Sequence, residues 1–170
     1  MMARFGAFWG LGGVLLLLAS AVYRLTPRAI ESFSAKYEWS WLHWAAFVLF
    51  TFFMAYAEGY RAFQQGFSPR VAARARYLRD HQNTLHTVLA PLFCMAYFHA
   101  PRRRRIVSIS VTSGIIVLII LVSRLPQPWR GIVDGSVVVG LAWGLVSLSV
   151  FGYQAFTQEH FPYSPEVPEN

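Results

Sequence analysis

Cysteine occurs once in the 170-residue chain, at Cys94, so neither an internal disulfide nor a cysteine-based zinc site can form. Lysine is equally scarce: Lys36 stands alone, and every other basic side chain apart from histidine is an arginine. Charged residues make up only 14% of the chain, where a soluble domain has about a quarter. So little polar surface cannot cover a globule in water. The longest polar stretches, Arg24–Ser40 and Gln64–Asn83, fall far short of the roughly 50 residues of a separate soluble domain. Also missing are the alternating short strands of a membrane β-barrel, any repeat of about 20 to 50 residues, and a His-Glu-x-x-His metal pattern. No motif here specifies a reaction.

What the chain has in abundance is apolar: 55% of its residues are hydrophobic, gathered in five runs. Phe5–Tyr23 carries no charge and is long enough to cross a bilayer core. Arg4 ahead of it and Ala19-Ser20-Ala21 near its end also fit a signal peptide removed with residues 1–21. The single basic residue and the bulky Phe and Trp at its start favour a retained helix. Trp41–Ala57 has aromatic residues at both ends, as at membrane interfaces. Thr84–Ala100 is the weakest run, interrupted by Pro91 and flanked by His86 and His99. Ile106–Ser123 is free of charge, and Ile132–Phe156 contains one acid, Asp134. Lipid leaves no partner for an unpaired backbone, so each run reads as helix.

The expected fold is therefore an all-α integral membrane protein. Residues 1–156 form a bundle of five hydrophobic helices, four or five of them spanning, and residues 157–170, rich in proline and glutamate, form a disordered tail. Two short interfacial helices are expected between the runs. Thr26-Pro27 starts one, with Ile30, Phe33 and Tyr37 at helical spacing. Ser68-Pro69 starts the other, which runs to His81 along the membrane surface, Val71, Ala75 and Leu78 on one face and arginines beside them.

Orientation turns on Thr84–Ala100. If all five runs span, the cations divide eight against seven, and the positive-inside rule has nothing to choose on. If this run dips in and returns, they divide ten against five. Its length reaches about 25 Å as a helix, enough for a slightly thinned bilayer, and the balance tips narrowly to five spans. The same choice decides whether the polar residues meet. With five spans, Glu58, Arg61, His86, Arg130 and Asp134 converge near one membrane face. With a dip, Asp134 lies about 30 Å from Glu58 and no cluster forms.

These five are the candidate binding residues. Glu58 and Arg61 form a possible i,i+3 pair at headgroup level, and Asp134 follows Arg130 by one turn at the dipole-favoured start of its helix. No catalytic residue is assigned: the serines of the fourth run, Ser108, Ser110 and Ser113, have no base nearby in sequence. No metal site and no cofactor are expected. Haem is the alternative, weakened because His86 and His99 would stand about 20 Å apart on one helix. Small residues form packing ridges: Gly6 and Gly10 in the first run, Ser136, Gly140, Gly144 and Gly152 in the last. The net charge of +7 suggests nucleic acid only until its placement is seen, because the arginines flank apolar runs as lipid headgroups require.

The function these features favour is a non-enzymatic accessory or scaffold subunit in a cell membrane, by composition a bacterial cytoplasmic membrane. Its partners would be the bilayer and a membrane protein or further copies of itself. The alternatives are a small transporter or channel built on Glu58, His86 and Asp134, and a membrane enzyme acting on lipids or redox carriers.

Overall fold

The computed structural model describes residues 2–81 and 83–167, with side chains from residue 5 onward. The start of the candidate signal peptide and tail residues 168–170 lie outside them. All regular structure among the described residues is helical. The elements are α1 (Met2–Glu31), α2 (Trp41–Met54), a π-helical segment (Ala55–Phe67), α3 (Ser68–Asp80), α4 (Thr84–Val88), α5 (Ala90–Cys94), α6 (Arg102–Ser123) and α7 (Trp129–Thr157). Four helices are long and apolar enough to cross a membrane: Phe5–Glu31, Trp41–Asp80, Arg102–Ser123 and Trp129–Thr157.

The run at 84–100 is not a fifth span. Asn83 caps α4 through its side chain, which accepts from the Leu85 and His86 amides. The helix breaks at Leu89, two residues before Pro91, which cannot donate a backbone hydrogen bond. Ala96 and His99 then take left-handed backbone angles, φ 62° and 48°, and reverse the chain. The run thus enters and leaves at one end of the bundle. The arrangement with five spans gives way to the one in which the run turns back.

Neither expected interfacial helix is separate. α1 continues through Pro27 to Glu31, and the Thr26 hydroxyl bonds back to the Val22 carbonyl. Ser68-Pro69 likewise starts nothing, for α2, the π segment and α3 form one unbroken helix of 40 residues. In the π segment each amide reaches back five residues, as Ser68 N–H does to Phe63 O. That wider turn relieves the crowding a proline ring imposes on the carbonyl one turn earlier, which accounts for Pro69 inside the helix. Far from lying on a surface, α3 is the most enclosed part of the chain: Val71, Ala72, Ala73, Arg74, Ala75 and Leu78 are all buried.

α7 is the central helix. Its small residues admit the long helix running parallel to it: Ser136 hydrogen-bonds Thr51 at 3.2 Å, Gly140 meets Glu58, and Gly144 meets the Phe63 ring. α1 runs antiparallel along another side, with Leu11 on Gly152 and Phe8 stacked on Phe156. Gly6, Gly10 and Gly13 of α1 in turn receive Thr87, Cys94 and Pro91 of the returning segment. The apolar runs of α1 and α2 are therefore staggered, one covering the C-terminal half of α7 and the other its N-terminal half.

A side chain at Gly144 would meet the Phe63 ring, since even a Cβ there comes to 2.7 Å of it. Gly114 of α6 has nothing within 4 Å of the same position. Gly144→Leu is expected to cost about 1–3 kcal/mol and lower the thermal melting point in detergent. Gly114→Leu should leave it unchanged. Equal melts for the two variants would remove the ridge from the account.

Candidate functional site

The five candidate residues fall in three places. Glu58 lies in the π segment with its carboxyl across the face of Gly140, where a Cβ would come to 2.7 Å of Oε2. That oxygen is buried and has no hydrogen-bond partner among the described residues. The helix does not end near Glu58 but continues past it through 22 further residues to Asp80. Arg61 is exposed and forms no ion pair with Glu58 among the described residues. The π geometry explains the separation: with hydrogen bonds five residues back, residues about four to five apart share a face, and residues three apart do not.

Arg130 and Asp134 do meet, one turn apart, with Nε 3.7 Å from Oδ2. Asp134 is buried, and neither of those two atoms makes a hydrogen bond among the described residues. Asp134 is not 30 Å from Glu58, as a returning segment would have implied. It precedes Gly140 by six residues, about 9 Å of axial rise, with the Ser136–Thr51 hydrogen bond between. A polar seam therefore follows the contact of α7 with the long helix. Two further hydroxyls, Ser68 and Ser147, are buried on these helices without partners.

His86 does not join that seam. It lies at the far end of the bundle, its ring 4.7 Å from that of His99 and 4.8 Å from that of Phe93. The spacing that set His86 and His99 about 20 Å apart assumed one continuous helix, and the reversal at Ala96 brings them together. Their rings pack against each other, tilted by 42°. Burial, then the neighbouring His99 and Arg74, hold the His86 imidazole below its ordinary pKa. No group of three or more His, Cys, Asp or Glu side chains suited to a metal ion occurs among the described residues.

The residue that organises this end is Arg74, which is 2% exposed. All five of its N–H groups find backbone carbonyls. Nε donates to Phe93 O at 2.6 Å, Nη2 to Phe98 O at 3.1 Å and His99 O at 2.9 Å, and Nη1 to Pro165 O at 2.9 Å and Glu166 O at 3.4 Å. The guanidinium carbon also sits 4.1 Å above the Phe93 ring. Arg76 holds the start of the tail through the Ala155, Gln158 and Glu159 carbonyls. Arg104 binds the Glu166 carboxylate with two parallel hydrogen bonds of 2.5 and 2.8 Å. Where disorder was expected after residue 157, the described residues to 167 lack regular structure but are tied down by three arginines.

Sequence reading missed Arg74 as a structural centre and missed the tail as its partner. A signal was present: Val71-Ala72-Ala73-Arg74-Ala75 surrounds one arginine with small residues, which suits close packing better than a solvated face. Cys94, buried beside it, has its thiol pushed up to about 12 by burial and is no nucleophile at neutral pH. No protein-family model, no curated protein and no solved structure matches this chain.

Arg74→Met would keep much of the side-chain volume and strand four of the five carbonyls, Phe93 O keeping the Ala96 amide. The expected loss is about 2–3 kcal/mol or more, with residues 158–167 cut faster in limited proteolysis. A tail as resistant in the variant as in the wild type would show that Arg74 does not hold it.

Proposed function

We propose that this chain is a multi-pass protein of a bacterial cytoplasmic membrane, acting as a non-enzymatic accessory or scaffold subunit that binds another membrane protein through α6. The observation that carries the reading is the state of α6: none of its 22 residues is buried. It is tied along its N-terminal half and at its C-terminal end. Tyr97 hydrogen-bonds Thr112, Ser108 donates to Met95 O at 2.8 Å, Arg104 pairs with Glu166, and Arg130 reaches Ser123 O at 3.3 Å. Between those ties its Ile, Val and Leu side chains face outward on every side. Lipid exerts no hydrophobic force that would press such a helix onto its own bundle, so α6 is free to pack with a neighbour. The end bearing the returning segment carries most of the fifteen Lys and Arg residues, Arg61 lying midway along the long helix, and the positive-inside rule assigns that end to the cytoplasm.

Photo-cross-linking residues placed singly from Ile115 to Leu121, in native membranes, test this. The expected result is one protein adduct recurring at helical spacing of three to four positions. An adduct of twice the chain mass would identify a second copy as the neighbour. Lipid adducts alone at every position would overturn the reading.

A second reading, proton or ion passage, is supported by one observation: the unpartnered Glu58 carboxyl oxygen buried in a π-helical segment. It lacks His86, which belongs to the other end. In proteoliposomes with an entrapped pH dye, Glu58→Gln would abolish a wild-type flux and Arg61→Gln would preserve it. No flux from the wild type ends this reading.

A further inference from the structure

A cavity of about 380 Å³ opens where the long helix, the start of α6 and the tail come together. Its polar lining is Gln65 and Arg70 from the long helix, Arg104 from α6, and Tyr163, Ser164 and Glu166 from the tail. Two guanidinium groups against one carboxylate leave it with an excess positive charge. The excess is localised. Arg104 gives Nε and Nη2 to Glu166, so its charge is matched. Arg70 gives Nε to Gly66 O at 2.7 Å, and its two terminal nitrogens have no partner among the described residues. It forms no ion pair there either. Neutral donors surround this fork: the Tyr163 hydroxyl, the Gln65 amide, and the Ser164 hydroxyl, whose oxygen accepts from the Glu166 amide at 3.1 Å and whose proton is free.

We propose that this cavity binds the phosphate group of an anionic phosphate ester, with Arg70 as its principal ligand. A guanidinium fork presents two parallel N–H groups that match two phosphate oxygens, and the hydroxyl and amide donors on the other walls suit the remaining oxygens of a tetrahedral anion. The position fits the chemistry. Arg104 stands two residues before the apolar run that begins at Ile106, the level at which lipid phosphates meet a spanning helix. A lipid headgroup and a soluble phosphate offer the same oxygens to the same donors. The site joins three parts of the chain, so a bound anion would tie the base of α6 to the long helix and the tail. This does not depend on what α6 binds along its length.

Binding of two probes to the whole protein in dodecyl maltoside at fixed ionic strength tests the proposal: dihexanoyl phosphatidylglycerol and inorganic phosphate. Saturable binding of at least one is expected. Arg70→Gln should weaken it about tenfold or more, while Arg103→Gln, an exposed arginine outside the cavity, should leave it unchanged. Glu166→Gln should tighten it several-fold by removing the competing negative charge, an effect of opposite sign that damage to the fold would not produce. Phosphatidylglycerol binding without phosphate binding identifies a lipid as the source; comparable binding of both identifies the phosphate group alone. Should Arg70→Gln fail to fold, Tyr163→Phe takes its place with the same expected direction. No saturable binding of either probe, equal losses with Arg70→Gln and Arg103→Gln, or weaker binding with Glu166→Gln would each overturn the proposal.

Discussion

A guanidinium without a carboxylate partner, sealed inside the protein, is the constraint on which one whole end of this molecule depends. Removing such a charge from water costs several kcal/mol, and among the described residues no ion pair with Arg74 offsets it. Its compensation comes from five backbone carbonyls and the face of Phe93. Those carbonyls belong to the end of α5, to the reversal after it and to the tail. None of these is part of α3, so Arg74 is satisfied only when distant segments have already come to it. Two consequences follow. The returning segment cannot straighten into a span without abandoning three acceptors, and the tail cannot leave without abandoning two. The left-handed backbone at His99 fits the same demand, for it presents that residue's carbonyl to Nη2.

The long helix poses the complementary problem of keeping polar residues helical inside a bundle. Between Ala55 and Phe67 the chain carries Glu58, Arg61, Gln64 and Gln65, which by composition alone would end an apolar helix. α7 answers each inward position differently. Gly140 leaves room for the Glu58 carboxyl, Trp143 donates its indole N–H to Gln64 Oε1 at 2.7 Å and packs on Gly59, and Gly144 takes the Phe63 ring. Small residues on α7 and bulky or polar ones on the π segment are thus two halves of one fit. The π geometry turns these side chains toward α7 in a pattern that a 3.6-residue period would not produce.

How much of this could be read from the chain follows from which interactions are local. The four long apolar helices were legible, because a run of bilayer length with at most one charge has few other uses. The ridge of Gly140 and Gly144 was legible as small residues four apart, though not which helix would meet it. The break in the third run was half legible. Pro91 was visible, but the reversals at Ala96 and His99 carry no glycine to announce a left-handed backbone, and the run's length mimicked a span. The end of the second helix was misread at Ala57 because a polar stretch continues as helix only where a partner such as α7 receives it. The same error put α3 on the membrane face and set the expected distance to Asp134. The arginines were read as contacts for lipid phosphate, whereas Arg74 and Arg76 are spent on carbonyls more than 18 and 78 residues away in sequence, respectively.

The contrast between α6 and α7 carries the functional argument further than either helix alone. Both are apolar and both exceed 20 residues. α7 buries glycines and serines along its length and is enclosed by two long helices. α6 has one glycine, which nothing approaches, and β-branched or leucine side chains on all faces. Close helix contact in lipid needs a surface on which backbones can approach, and α6 does not offer one to its own bundle. Its ties instead fall in its N-terminal half and at its C-terminal end, and the one at Arg104 leads back through Glu166 and the tail to Arg74. The most enclosed charged group among the described residues and the most exposed helix are therefore linked by one short stretch of chain. A neighbour that moved α6, or an anion bound beside Arg104, would act on that link before it acted on the packed core.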